Sequence, residues 1–502
     1  MSTNQTLMRG ADLASPGHFL RVGLGAMALS LLAGCMTVGP DYQPPAPEAV
    51  TLQAAVDPAF SRASPVAAWW SEFDDPTLEQ LVQRALADNL DLSIAMARVR
   101  EARALFSEQR LDQLPHVTAA GSYDRRRQPE VLADGQRVTT ESALLGLDAA
   151  WELDLFGRQR RATEAARAAL DAEWANHADA QVIVAAEVAG TYFQLRGTQK
   201  RIALARRTLE NLQQTQRLTE DRWALGAGSE LDVQSSRARM KAIEADIPLL
   251  EASEVQARHR LAVLLGQRPG ALDGLLQPRE VPPYMRALPI GDPGELLRMR
   301  PDVRVAERRL AAATASVGVA TADLFPRISL NGFIGFLSLD GTGLLAGGNK
   351  AWALSPTLSW AAFDIGSVRA RLRATEARAE GVAAEYEKTV LLALEETENA
   401  LVRYARQQQR LLLTAEQAMA ARRAEVLAQA LYQDGAEDFL ALLDAQRNLL
   451  SAEDALAVAE AAASIEVVGV YKALGGWGQP AGLAGTPARG RALADVGRTG
   501  AR

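Results

Sequence analysis

The chain contains a single cysteine, Cys35, whose neighbours have the types that permit covalent lipid attachment. Leu32, Ala33 and Gly34 precede it, which places an apolar residue third upstream and small residues next to the thiol. Cleavage before Cys35 would make it the first residue of the mature chain, carrying a diacylglyceryl thioether and an N-acyl chain. More than one acyl chain gives stable membrane anchoring. A buried structural cysteine is the alternative interpretation.

The residues before this cysteine have the composition of a secretory signal peptide. Arg9 and Arg21 supply a basic start, and an apolar run follows from Val22 to Ala33. This run is shorter than a membrane-spanning helix requires, and small residues end it. Residues 1–34 are therefore predicted to be removed, although a buried N-terminal helix would show a similar pattern. Met36, rather than an aspartate, follows the cysteine, which favours the outer membrane.

Composition argues against several classes of protein. A formal net charge of −7 and a pI near 5.5 are unlike the basic balance of nucleic-acid binders, so no nucleic-acid partner is expected. The arginine run Arg125–Arg127 is interpreted as solvated loop charge, with a phosphate site as the alternative. One cysteine excludes an intramolecular disulfide framework, and the four histidines show no metal-binding spacing. We therefore predict no enzyme activity, no metal site, and no cofactor other than the covalent lipid on Cys35.

The sequence is duplicated. LPHV at Leu114–Val117 returns as FPRI at Phe325–Ile328, 211 positions later, and WELDLFG at Trp151–Gly157 returns as WAAFDIG at Trp360–Gly366, 209 positions later. The second offset then holds without a gap, which indicates a structural duplication. The predicted segments are a signal peptide (1–34), a lipid-anchored extended N-terminal segment (35–75), a first repeat (76–276), a proline-rich linker (277–295), a second repeat (296–475) and a disordered tail (476–502).

Each repeat starts with a helix, continues with two strands and ends with two long helices. Apolar spacing predicts the first helix over about 76–113, ended by Pro115, as Pro326 ends its counterpart. Gly157 and Gly366 follow the strands and allow the backbone to turn into the next helix. That helix continues without proline for about 65 residues, or about 100 Å, which a globular core does not accommodate.

Two strands in each repeat give four per chain, which is too few to close a barrel, because small closed barrels need about eight. An open sheet with one apolar face would leave its edges exposed. Association of three identical chains would supply twelve strands and cover these edges. The layout therefore predicts a tube that is embedded in a membrane at its strand end.

The signal peptide, the LAGC motif, VGPDYQPP, the stretch WWSEFDDPTLEQLVQRAL at Trp69–Leu86 and the duplicated P…W…G pattern resemble the TolC-like outer-membrane factor lipoproteins, in particular the NodT-like family. The resemblance covers about residues 31–475. It implies a mainly α fold with a small β part, in which long helical hairpins accompany four transmembrane β-strands per chain. It also implies a trimeric twelve-stranded barrel and an α-helical periplasmic tunnel.

The same resemblance implies an outer-membrane efflux channel, the exit duct of a tripartite pump of the resistance-nodulation-division (RND) type. Such a channel is a passive homotrimeric conduit anchored among outer-membrane lipids. A periplasmic adaptor (membrane fusion) protein opens it, and an inner-membrane RND-type pump supplies the energy. The exported substrate is not specified by the sequence, because a wide duct has little selectivity and the pump chooses the cargo.

In this family the turns between the long helices form the closed periplasmic aperture and meet the adaptor. Acidic groups gathered around a threefold axis would repel one another, so hydrogen bonds or a bound cation must hold them closed. Ordinary glycine turns with helix N-caps are the simpler interpretation, in which Asp438 only caps its helix. The positions carried over are Gly226, Gly228, Glu230 and Asp232 in the first turn, and Tyr432, Asp434, Gly435, Glu437 and Asp438 in the second.

Two other functions fit parts of the pattern. A TolC-like duct could export secreted polypeptides with a different pump, and a structural lipoprotein could use its long helices as an envelope tether. A tether would not require the strand pairs, so their presence favours a channel.

Overall fold

The computed structural model describes residues 37–45, 52–64, 66–127, 139–341 and 343–476. The predicted signal peptide, Leu32, Ala33, Gly34 and Cys35 lie outside the described residues, as does the predicted tail beyond Gly476. The chain divides into two compact units. Unit 1 comprises 1–45, 101–171 and 307–384, and unit 2 comprises 46–100, 172–306 and 385–502.

Helices account for most of the described residues, and in each repeat two short helices precede the strands and two long helices follow them. None of the helices in this part of the chain is both long and apolar enough to cross a membrane. The helices are α1 (Pro76–Asp88), α2 (Leu90–Leu111), α3 (Arg158–Ala224), α4 (Glu230–Leu264), α5 (Pro293–Met299), α6 (Pro301–Ala322), α7 (Ile365–Gln433) and α8 (Phe439–Ala473).

The strands form one larger and one very small sheet. In the larger sheet, which lies in unit 1, neighbouring strands are antiparallel and follow the order β2-β3-β5-β6. The small sheet is a parallel pair of β1 and β4 in unit 2. The strands are β1 (Phe60–Ser61), β2 (His116–Arg127), β3 (Thr139–Leu153), β4 (Leu288–Pro289), β5 (Arg327–Ser338) and β6 (Lys350–Ser359).

The single helix predicted over 76–113 is two helices, because the chain breaks at Asn89. The backbone of Asn89 is extended, with ψ 135°, and ends α1. Its Oδ1 accepts hydrogen bonds from the backbone N–H groups of Asp91 and Leu92 at 2.8 and 3.1 Å, so it caps the start of α2. The prediction of one continuous helix was wrong because the apolar spacing continues across this side-chain cap.

The same break receives the end of the returning long helix in both repeats. Asn89 Nδ2 donates to the carbonyl oxygen of Leu264, the last residue of α4, at 2.9 Å. In the second repeat Arg300 stands between α5 and α6, and its Nη1 donates to the carbonyl oxygen of Ala473, the last residue of α8. Leu264 and Ala473 are equivalent positions, 209 residues apart. Each bond satisfies a carbonyl group that the helix itself leaves unpaired.

The core of unit 2 is built around the aromatic residues of the WWSEF stretch. Trp69, Trp70 and Phe73 are buried, and the Trp69 ring stacks on Tyr471 with centroids 5.3 Å apart. Large buried aromatic side chains contribute much of the apolar area that stabilises a domain. The N-terminal segment, predicted to be extended, is therefore folded over its described residues 52–64 and 66–75, where the core covers these rings.

Asp75 joins this core to the first helix. Its Oδ1 accepts a hydrogen bond from the backbone N–H of Thr77 at 2.9 Å, and Pro76 occupies the first helical position, so the two residues start α1. Its Oδ2 accepts a hydrogen bond from the hydroxyl of Tyr192 at 2.5 Å. The DDPTLEQL sequence therefore supplies both a helix cap and a buried polar contact.

The segment 277–295, predicted as a proline-rich linker, packs onto unit 2. Tyr284, Leu288 and Ile290 are buried, and Leu288 pairs with Phe60 in the short parallel sheet. The middle of the connection between the repeats is therefore held by the apolar contacts of these residues.

The break at Arg300 carries more charge than the break at Asn89. Arg300 Nη2 donates to Asp302 Oδ2 and Glu396 Oε2, both at 2.7 Å, and Lys472 Nζ lies 3.6 Å from Glu396 Oε1. Asp179, on α3, lines the same small cavity. Burial, together with repulsion from Asp302, raises the pKa of Asp179 to about 6.

We expect Asp179→Asn to stabilise the protein near neutral pH. The folded-state pKa of about 6 lies above the ordinary value of 3.8, so ionisation of Asp179 weakens the folded state increasingly as the pH rises between these values. The amide should raise the free energy of unfolding by about 1 kcal/mol above pH 6, allowing for solvent screening, and have little effect at about pH 4. Urea unfolding measures the free energy of unfolding of both proteins above pH 6 and at about pH 4.

The matched control for this experiment is Glu416→Gln, which removes an exposed glutamate on α7. It should change the free energy of unfolding little at either pH. An equal gain from Asp179→Asn at both pH values would contradict the assignment.

Candidate functional site

The sheet of unit 1 has two chemically different faces, which follow from its register. Ala119, Leu147, Ile334 and Trp352 are paired across the four strands, so their side chains share one face. Leu147, Ile334 and Trp352 are exposed. The same face also carries Val117, Leu145, Phe336, Leu354 and Leu358. A contiguous exposed apolar surface of this kind indicates contact with another apolar phase or partner.

The opposite face of the sheet carries mainly small and polar side chains, with Phe333 and the Leu144–Leu337 pair as large apolar exceptions. Thr118, Asp148 and Phe333 share one rung of it, and Gly146 and Gly335 share the next. His116, Ala150, Asn331 and Ser355 form a further rung. The ring of Phe333 is accommodated by the glycine pair, since a Cβ added to Gly146 would lie 2.5 Å from ring atom Cε2. One face is therefore suited to hydrocarbon and the other to water.

The N-terminal segment explains why Gly157 must be glycine at the end of β3. Gly157 has a φ of 83°, and a Cβ there would lie 2.6 Å from Thr37 Cγ2. Val38 N donates to the carbonyl oxygen of Phe156 at 3.1 Å. The buried guanidinium of Arg161, near the start of α3, donates through Nη2 to Asp41 Oδ1 at 2.6 Å. The VGPDY motif is thus bound at the junction between strand and helix.

The four predicted junction residues do not behave alike. Pro115 and Pro326 stand directly before β2 and β5, as predicted. Gly157 makes the predicted turn. Gly366 is already the second residue of α7 and does not have a positive φ. The prediction of a turn glycine was therefore wrong for Gly366, where no heavy atom lies within 4 Å of the added Cβ. The repeat position is the same, but among the described residues the N-terminal segment packs against the junction of the first repeat and not against that of the second.

The tryptophans of the two repeats make equivalent bonds at these junctions. Trp151 Nε1 donates to the carbonyl oxygen of Gln113, and Trp360 Nε1 donates to that of Leu324, both at 3.0 Å. Each bond ties the end of a strand to the end of the preceding short helix. The recurrence of the tryptophan in both repeats therefore has a structural basis.

The two turns between the long helices have the same backbone. Gly226 and Gly435 both have a φ of 73°, a conformation that glycine adopts without strain. In each turn the residue after the glycine donates to a carbonyl oxygen of the preceding helix, at 2.8 and 2.9 Å, which is a Schellman ending. Gly228 also packs closely, since a Cβ there would lie 3.2 Å from the backbone nitrogen of Trp223.

Two of the acidic residues in these turns serve as helix caps. Asp232 forms a capping box with Ser229: its backbone N–H donates to Ser229 Oγ at 3.2 Å, and its Oδ2 accepts from Ser229 N at 3.1 Å. Asp438 Oδ1 accepts from the backbone N–H of Ala441 at 2.9 Å. The remaining predicted acids, Glu230, Asp434 and Glu437, have exposed side chains.

Tyr432 is the buried member of the predicted set. Its ring packs against Phe439 with centroids 5.6 Å apart, and Leu442 completes the cluster. The guanidinium of Arg222, at the end of α3, lies 4.6 Å from the centre of the Tyr432 ring. A cation–π contact therefore joins the first turn to the second within one chain.

Sequence reasoning missed Arg222 and the apolar residues of the first turn. Trp223, Leu225 and Leu231 are 51%, 83% and 65% exposed. Trp223 occupies the repeat position of Tyr432, 209 residues earlier, so comparison of the two turns could have identified it. The first turn thus presents apolar side chains, whereas the aromatic residue of the second turn is covered.

Paired long helices in duplicate, a sheet with one apolar and one polar face, and matching glycine turns define a TolC-like outer-membrane channel. The protein-family model for "Outer membrane efflux protein" matches residues 81–267 and 293–476. The chain therefore belongs to the outer membrane efflux protein family, and the mainly helical duplicated fold, the outer-membrane location and the efflux-channel class predicted from the sequence are confirmed.

Individual relatives agree over nearly the whole length. The toluene efflux pump outer membrane protein TtgC of Pseudomonas putida is 35% identical over 471 residues, covering 91% of this chain and 96% of that protein. The outer-membrane channel OprN is 49% identical with a TM-score of 0.85, covering 88% of this chain and 99% of that structure. The open state of the Neisseria gonorrhoeae MtrE channel is 30% identical with a TM-score of 0.76, covering 88% and 98%.

Proposed function

We propose that three copies of this chain form the exit duct of a tripartite efflux pump. In this assembly β6 of one copy pairs with β2 of the next, so that a twelve-stranded barrel closes with its polar face inward. The observation that supports it is the sheet itself: within the described residues β2 and β6 pair on one side only, and one face is apolar. Closure removes the unpaired edges, and insertion covers the apolar face.

The long helices then form a periplasmic tunnel whose far end lies at the two glycine turns. There a periplasmic adaptor engages the duct, and an inner-membrane RND-type pump supplies the energy. Two features support this assignment: the exposed apolar side chains of the first turn, which are suited to a protein contact, and the similarity to a relative whose name describes an efflux pump component.

Reconstitution and deletion test the proposed function together. The purified protein, confirmed as a trimer by light scattering, should give ion conductance in planar bilayers, and deletion of its gene should sensitise the cell to pump substrates. A tether would show neither effect, and a duct for secreted polypeptides would show conductance without loss of efflux. Either of these results would contradict the proposal.

We also propose that Cys35 carries the lipid. Cys35→Ser should abolish incorporation of labelled palmitate into the protein, because the thioether cannot form on a hydroxyl side chain. Wild-type protein labelled in parallel is the reference. Labelling that persists in the variant would remove the assignment.

The acids of the second turn are proposed to hold the aperture closed. Asp434→Ala or Glu437→Ala should raise the closed-state leak conductance several-fold, because each removes a carboxylate that can accept hydrogen bonds or bind a cation at the threefold axis. Neither residue acts as a described helix cap, so the backbone turn should be retained. Single-channel recording measures the leak.

The control for this prediction is Glu210→Ala, which removes an exposed acid from α3 at a distance from the turn. Its leak should match that of the wild type. An unchanged leak in both second-turn variants would count against their part in closure.

A further inference from the structure

The arginine run at the end of β2 is divided between the two faces of the sheet. Arg125 pairs in register with Glu141, and Arg126 pairs with Thr140. Successive residues of a strand point to opposite faces, so Arg125 and Arg127 continue the apolar face. Arg126 lies on the other face, where it forms an ion pair with Asp124 at 2.7 Å. The run therefore places two cations on the apolar face and one on the opposite face. The prediction of solvated loop charge was wrong, because all three arginines belong to β2.

An aromatic residue precedes these cations on the apolar face. Tyr123 lies two residues before Arg125 and is 61% exposed. The other edge strand, β6, runs in the opposite direction and begins with its cation, Lys350. Trp352, which is 78% exposed, follows two residues later on the same face. Lys350 and Trp352 line one groove on this face together with Leu145 and other apolar side chains. On the apolar face of both edge strands, apolar side chains are therefore followed by an aromatic and then by a cationic side chain. This order runs toward the end of the sheet that lies away from the helices.

Closure of the trimer would bring the aromatic and cationic side chains of the two edge strands together. If β6 of one copy pairs with β2 of the next, the outer end of β6 adjoins the outer end of β2 at each of the junctions. We propose that Tyr123, Arg125 and Arg127 of one copy and Trp352 and Lys350 of its neighbour form a binding surface for lipid A of the outer leaflet. This inference rests on the trimeric channel proposed above, because neither edge strand carries the complete surface.

The charge of the surface is complementary to phosphate. Arg125 lies 3.0 Å from Glu141, and the Tyr123 hydroxyl donates to the same carboxylate at 3.2 Å. Apart from the acid already paired on the opposite face, Glu141 and Asp340, whose Oδ1 accepts a hydrogen bond from the Ser338 hydroxyl at 2.6 Å, are the described acids at this end of the sheet. Against them the three cations leave an excess of one positive charge among the described residues. Guanidinium groups match phosphate oxygens in two-point hydrogen bonding.

The geometry favours a bisphosphorylated amphiphile over other anions. Arg125 and Arg127 are about 6.6 Å apart along the strand, from the rise of a β-strand, which allows separate phosphates to be bound. The apolar face continues directly below them, so the ligand must also carry hydrocarbon chains. Aromatic rings between cations and apolar side chains occupy the level of a membrane interface. The leaflet distal to the helices is the outer leaflet, and lipid A is its phosphate-bearing lipid.

The test is binding of purified trimer to bisphosphorylated lipid A in detergent, compared with a phosphate-free analogue and with phosphatidylglycerol. The double variant Arg125→Gln/Lys350→Gln should weaken binding of bisphosphorylated lipid A at least tenfold. Arg126→Gln is the matched control, because it removes the same charge from the same run on the opposite face. It should bind within twofold of the wild type.

Several outcomes would overturn the inference. Equal binding of the phosphate-free analogue or of phosphatidylglycerol would remove the lipid A assignment, and an equal loss in Arg126→Gln would show non-specific charge attraction. Light scattering separates this inference from the proposed function. A protein that is not trimeric contradicts the channel assembly, whereas a conducting trimer without phosphate-dependent binding contradicts only the lipid surface.

Discussion

The returning end of each long helical hairpin imposes the constraint on which the arrangement of unit 2 depends. A helix that ends inside the protein leaves carbonyl groups without partners, and burying them unpaired is costly. Asn89 and Arg300 solve this problem at equivalent positions by donating to the carbonyl oxygens of Leu264 and Ala473. Asn89 also caps the start of α2, so in the first repeat one side chain fixes both where the short helix starts and where the long helix stops. Arg300 stands at the corresponding break in the second repeat. The duplication is therefore a repeated solution to a hydrogen-bonding problem as well as a repeated sequence.

The sheet presents a second constraint, which the single chain does not satisfy. Its register places most of the large apolar side chains on one face of all four strands, so neither face can be exchanged for the other by a slip of one residue. Both edge strands have one unpaired side among the described residues. A helical duct with internal hydrogen bonding could exist alone, but this sheet requires both a partner edge and an apolar phase. The membrane location shown by the family thus agrees with what the strands need.

Much of this fold follows from periodicity and repetition in the sequence. The offset of 209 residues predicts the paired turns, and their glycines have identical φ. Prediction from periodicity failed where the local structure depends on the contacts of a single residue. Asn89 interrupts a helix whose apolar spacing continues past it. Gly366 is helical, and no described residue packs on it as Thr37 packs on Gly157. Contacts between residues far apart in sequence, such as Arg222 on Tyr432, leave no periodic signal.

The places where the repeats differ show where side chains add function to a shared backbone. The two turns have the same dihedral angles, yet the first exposes Trp223 and the second buries Tyr432 beneath Phe439. The two breaks receive equivalent helix ends, and the break at Arg300 also gathers charged side chains around a cavity. Since the backbone is duplicated, these differences lie in the side chains. In a trimer the two kinds of turn would alternate around the axis. A duct of six hairpins with similar backbones would then present its partners with side chains that repeat three times, not six.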